Sequence, residues 1–167
     1  MYQSPRFSGL FYPDGEKKLF SLIHHFIQKT KTQDHKDVKA VIAPHAGYPY
    51  SGQLATESFY VTKQKQYKNI IILGPSHQYF FRGASILTKQ GYQTPLGTID
   101  INNNMTKKLL KHTDFFHDDI KAHHNEHSIE VLLPLIQIIQ PKAKIIPIVC
   151  GNIHQEDINK ISDAIID

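Results

Sequence analysis

Apolar residues recur along this chain in two rhythms. Between residues 16 and 30, Leu19, Phe20, Leu22, Ile23, Phe26 and Ile27 fall three and four apart, the spacing that lines one face of a helix. That face is expected to pack on a sheet. Residues 38–43 and 69–73 are short apolar runs closed by Pro44 and by Gly74-Pro75; both are too short for helices and read as buried strands. Between them the Ser51 hydroxyl can cap the first turn of a helix reaching about Gln64. The unit reads strand, helix, strand, and such a crossover makes the two strands parallel with their C-terminal ends pointing the same way.

Further on, residues 84–88 read as a strand, and Thr94-Pro95-Leu96-Gly97 is a turn into a half-exposed strand over 98–101. A helix is predicted from about 103 to 111. Residues 128–140 are apolar nearly all round and predict one buried helix, bent by Pro134. A strand over 144–149 precedes a last helix over 155–166, with Ile158, Ile161, Ile165 and Ile166 on its inner face. The sum is an α/β fold, a mostly parallel sheet flanked by helices, in a single domain over 1–167.

Composition changes this picture in three ways. The 167 residues suffice for one core and not for two ordinary ones. Cys150 is the only cysteine, which rules out an internal disulfide and a thiolate cluster, so any metal must use histidine and oxygen ligands. The net charge of +4 comes from short basic groups such as Lys63, Lys65, Lys68 and Lys107, Lys108, Lys111. These read as solvated faces, and no dense stripe interleaved with aromatics points to nucleic acid. No apolar run approaches the roughly 20 residues that cross a bilayer and no signal peptide opens the chain, so no membrane partner and a cytoplasmic location are expected.

The 11 histidines are the unusual feature. Pro44-His45-Ala46-Gly47-Tyr48 follows the first predicted strand and Gly74-Pro75-Ser76-His77 the second. Open α/β sheets bind ligands outside the C-terminal ends of their strands, so His45 and His77 can converge there. Neutral imidazole is a good ligand for zinc or iron. Standing against this, a lone histidine in such a turn is often only a hydrogen-bonded structural residue. His123-His124-Asn125-Glu126-His127 is open to two further readings. One is an inverted zincin, His-x-x-Glu-His, with His123 and His127 on zinc and Glu126 as base, which needs one continuous helix. The other is a loop whose Glu126 and His127 cap the following helix.

Five segments carry a resemblance. They are Phe7-Ser8-Gly9-Leu10-Phe11-Tyr12-Pro13, Pro44 to Gly52, Leu73-Gly74-Pro75-Ser76-His77, Tyr92-Gln93-Thr94-Pro95-Leu96-Gly97, and Glu126-His127-Ser128-Ile129-Glu130-Val131-Leu132-Leu133-Pro134. In order and spacing the chain resembles the Memo family, also called AmmeMemoRadiSam system protein B, from about Arg6 to the last helix. The family is similar in fold to class III extradiol dioxygenases, which hold non-haem iron with two histidines and a carboxylate.

The resemblance implies roles. His45 and His77 match the metal ligands, His127 matches the pocket histidine that moves protons, and Tyr12, Tyr48, Tyr50 and Ser76 are candidates for contact with a bound small molecule or peptide. It implies a divalent metal, iron(II) first, with zinc or copper as alternatives, and by family association radical-SAM and AMMECR-type partners. Family members usually continue into a further strand with a Ser-Ser-Asp-type segment that supplies a third metal position. This chain is therefore expected to be C-terminally truncated, with that ligand absent. Whether it turns over a substrate is left open: the alternative is a metal-free module that binds a peptide or small anion. Cys150 is expected to be a buried core thiol.

Overall fold

The computed structural model describes residues 1–31, 35 and 37–166. The fold is α/β, as expected, but its strands divide between two mixed sheets, where one mostly parallel sheet was predicted. The larger sheet is built on β7 (Lys144–Cys150), which pairs in parallel with β2 (Asn69–Pro75) along its whole length, from Asn69 opposite Lys144 to Pro75 opposite Cys150. On its other side β7 runs antiparallel to β3 (Ala84–Ile86), which in turn pairs in parallel with the two-residue β6 (Phe116–His117). The smaller sheet joins β1 (Tyr2–Gln3) to β4 (Gly91–Thr94) in parallel, and β4 to β5 (Gly97–Asp100) as a hairpin across the predicted turn at Pro95-Leu96.

The alternation of β7 divides the core. Ile145 and Val149 face one cluster, with Leu19, Ile23, Leu135 and Ile136, while Ile146 and Ile148 face another, with Ile86, Leu109, Phe116 and Ile161. A strand covered on both faces reads as a continuous apolar run, and the five central positions of β7, from Ile145 to Val149, are all buried.

Helices α1 (Glu16–Lys29), α3 (Asn103–His112) and α7 (Gln155–Ile166) lie close to where periodicity puts them. α1 buries Leu19 and Ile23 as predicted, but it packs on α2 (Tyr48–Tyr60) as well as on the shared core. The crossing is tight: a Cβ on Gly52 would lie 2.6 Å from the Phe26 ring. α2 starts earlier than predicted, at Tyr48 with Pro49 in its first turn, where fixed φ suits a helix and no amide hydrogen is missed. Ser51 does not cap it; its hydroxyl donates back to the Ala46 carbonyl at 3.1 Å.

Four other expectations are corrected. Residues 38–43 form no strand, and Ile42 is 98 % exposed, so the predicted strand, helix, strand crossover lacks its first strand. The apolar run could not decide this, since a strand exists only where a neighbour accepts its hydrogen bonds. The predicted helix over 128–140 is two short helices, α5 (His127–Glu130) and α6 (Leu133–Ile139), with Pro134 in the first turn of the second. Proline is tolerated there, so the helix restarts instead of bending. On α7, Ile161 and Ala164 are buried whereas Ile158 and Ile166 are exposed, beside a groove of about 380 Å³ that Cys150 also lines. Cys150 is thus half-buried, not a core thiol, although burial pushes its pKa up to about 11. No helix of the described residues is long and apolar enough to cross a membrane.

Candidate metal centre

Three chain segments meet beyond the C-terminal end of β2. His77 lies two residues after that strand, His45 just before α2, and His127 at the start of α5. A backbone contact without room for a side chain brings α5 in: a Cβ on Gly74 would stand 2.5 Å from Ser128 Oγ and 2.9 Å from Ile129 Cγ1. Glycine is needed here for close approach. Ser128 secures the contact by donating from Oγ to the Pro75 carbonyl at 3.0 Å.

The ring centroids of His77 and His127 are 4.4 Å apart, those of His45 and His77 5.2 Å, and those of His45 and His127 5.9 Å. One nitrogen from each ring can be chosen so that all lie within 4.8 Å of one another. His45 and His127 are half-buried and His77 is exposed. Burial lowers the pKa of His45, neighbouring His77 lowers it further, and Glu126 opposes both. At His127 burial again lowers it, Glu126 opposes, and His77 and His45 add to the lowering. These two imidazoles are therefore neutral at pH 7, the form that binds metal.

Glu126 sits under the cluster and is only 5 % exposed. Its Oε2 accepts from the His77 amide at 2.6 Å, and its Oε1 accepts from the Ser128 amide and lies opposite His77 Nδ1, both at 2.9 Å. His127 Nδ1 is 3.5 Å from the same Oε1. Burial alone would raise the carboxyl pKa, but hydrogen bonds from His77 and Ser128 outweigh it and hold Glu126 below the usual carboxylate range. The acid is ionised. The predicted capping role of Glu126 on α5 is correct, and the cap doubles as a partner for a site histidine.

A second buried acid holds the wall. Glu130 accepts from the Arg6 and Phe7 amides and from the Tyr12 hydroxyl, the last two at 2.8 Å. The segment so anchored lays Phe11 and Phe7 on His127, with ring centroids 4.7 and 5.6 Å away. Sequence reading gave Glu130 only a first-turn preference. The available signal was the four-residue spacing of Glu126 and Glu130, which puts both acids on the buried side of one turn.

The other candidates separate. Tyr12 and Tyr48 are buried, with hydroxyls given to Glu130 and, at 3.0 Å, to the Val131 carbonyl. Ser76 donates to the Tyr79 carbonyl at 2.6 Å. Tyr50 is 90 % exposed. The inverted-zincin reading fails: His123 belongs to a separate helix, α4 (Ile120–His124), is buried, and lies 3.0 Å from the Ser85 carbonyl and 3.3 Å from the Tyr92 hydroxyl.

A family model described as Memo, Memo-like protein, matches residues 3–167. The chain belongs to the Memo family. Among similar proteins, a MEMO1 family protein of Nitrosopumilus maritimus is 30% identical over 99% of this chain and 62% of its own length. One from Methanobrevibacter smithii is 32% identical over 99% of this chain and 63% of its own, and one from Desulfurococcus amylolyticus is 36% identical over 93% and 59%. The chain thus spans about three-fifths of the length of these Memo relatives.

Proposed function

We propose that this Memo chain binds one divalent metal ion through His45, His77 and His127. The observation that carries the reading is the convergence of three imidazoles within 4.8 Å, at least two of them held neutral by their surroundings. The donor set fits. Imidazole nitrogen suits iron, copper and zinc, and His45, His77 and His127 would hold the ion. His127 then serves as third ligand, in place of the proton-transfer role that resemblance alone suggests.

A bound ion would supply Lewis acidity and, as iron(II) or copper, redox chemistry. The chain's own residues do the rest. Phe7 and Phe11 keep water from one side of His127, Glu130 holds them there, and Glu126 ties His77 to the start of α5. Iron(II) is the preferred ion, and redox chemistry on a small molecule beside the three histidines the preferred activity.

Protein purified without an affinity tag, stripped with chelator and exposed to iron(II), zinc or copper, should take up one equivalent. His45→Ala, His77→Ala and His127→Ala should each lose it. Absence of stoichiometric uptake by the wild type would refute the metal centre and leave the three histidines as a metal-free binding site. Retention by His127→Ala alone would return that residue to proton transfer.

A further inference from the structure

Each oxygen of Glu126 accepts from a backbone amide, Oε2 from His77 and Oε1 from Ser128, so a ring nitrogen facing Oε1 must bring its own proton. Glu126 Oε1 stands 2.9 Å from His77 Nδ1 while Oε2 stands 2.6 Å from the amide of the same residue. One carboxylate thus grips both the backbone and the ring of His77. Its own position is set by the Ser128 amide and by the close packing of Ser128 on Gly74. We propose that Glu126 is a positioning residue: it holds His77 as the tautomer protonated on Nδ1 and so offers a bare Nε2 to the three-histidine cluster.

Without such a partner, rotation about the side-chain bonds and exchange between tautomers would present the wrong nitrogen for part of the time. A carboxylate behind a ligating histidine also makes the imidazole a stronger donor, and losing such a partner typically lowers metal affinity about 10–100-fold. His127 gains less, because its Nδ1 is 3.5 Å from the same oxygen, beyond a good hydrogen bond. The consequence for metal affinity rests on the metal-centre reading above; the tautomer does not.

The test uses the metal-free chain and long-range nitrogen–proton correlation spectra of its imidazoles at a pH where they are neutral. His77 should show a protonated Nδ1 and a bare Nε2. In Glu126→Gln a single carbonyl oxygen must serve three donors, so His77 should drift to a mixture of tautomers while zinc affinity, measured by competition with a chelator, falls about 10–100-fold. A wild-type His77 protonated on Nε2, or a tautomer unchanged in Glu126→Gln, would overturn the proposal. If the variant does not fold, the wild-type spectrum alone decides. Failure of the wild type to bind zinc would refute the metal centre and leave the tautomer to be judged on its own signature.

Discussion

The two sides of the histidine cluster are built differently. His77 follows the end of β2, which pairs with β7 along its whole length, and His127 opens α5, which is joined to that strand end by the Gly74–Ser128 contact and the Glu126 carboxylate. His45 follows residues 38–43, which pair with no strand and leave Ile42 exposed, and it is placed by the start of α2, where the Tyr48 amide donates to the Phe11 carbonyl at 2.7 Å. One side is locked by backbone ladders and buried acids, the other is tethered at a helix N-terminus. Two of the three imidazoles that could hold a metal ion are thus tied to each other by packing and hydrogen bonds, and the third is held separately.

The largest break should come on the locked side. Glu130→Ala strands the buried Tyr12 hydroxyl, at about 1–3 kcal/mol, and leaves two part-buried amides without their acceptor, so a loss of about 3–4 kcal/mol is expected in urea unfolding. The same variant should free Phe7 and Phe11 from His127, seen as lost ring-current shifts. A loss below about 1 kcal/mol would mean that the wall does not depend on this acid.

Acid should weaken the fold next, through a buried histidine outside the cluster. Burial lowers the pKa of His123 to about 4. Between that value and the unfolded value near 6.5 the unfolded chain binds the proton and the native chain does not. The stability is fully present above about 6.5 and is lost as pH falls toward 4, on the order of 3 kcal/mol. Unfolding free energies at pH 7 and pH 4 measure it, and His123→Asn should remove most of that slope.

Gly74→Ala sharpens the comparison at one atom. Its added methyl collides with Ser128 and Ile129, so a cost of about 1–3 kcal/mol is expected, with zinc affinity falling as α5 is pushed from β2. A thermal melt within a degree of wild type would show that the two segments separate freely. Smallest in stability should be His45→Ala, about 0.5 kcal/mol or less without metal, since no ladder depends on it. Its effect should appear only in metal uptake, whereas His77→Ala should lower both.

Legibility in the sequence followed local strength. α1, α3, α7, β7 and the hairpin turn at Pro95-Leu96 were readable because apolar spacing and turn residues act within a few positions. Even there the exposed Ile158 and Ile166 show that periodicity names a face and not what covers it. Strands of two residues such as β1 and β6 carry no pattern of their own, and residues 38–43 carry a pattern that no partner completes. For the site, His45, His77 and His127 were nameable from their motifs, and Glu126 was visible as a cap.

The sequence by itself determined the α/β class, the position of most long elements, the exclusion of a thiolate site and the motifs that carry the three histidines. Those properties depend on residue type and near-neighbour spacing. Tertiary structure alone decided that three imidazoles meet, that Glu126 faces His77 across 49 positions, and that Glu130 reaches back to Arg6 and Phe7. The reason is physical: a hydrogen bond or ligand set between distant segments leaves no period in the chain. It is formed when packing such as that of Ser128 on Gly74 brings the segments within about 3 Å.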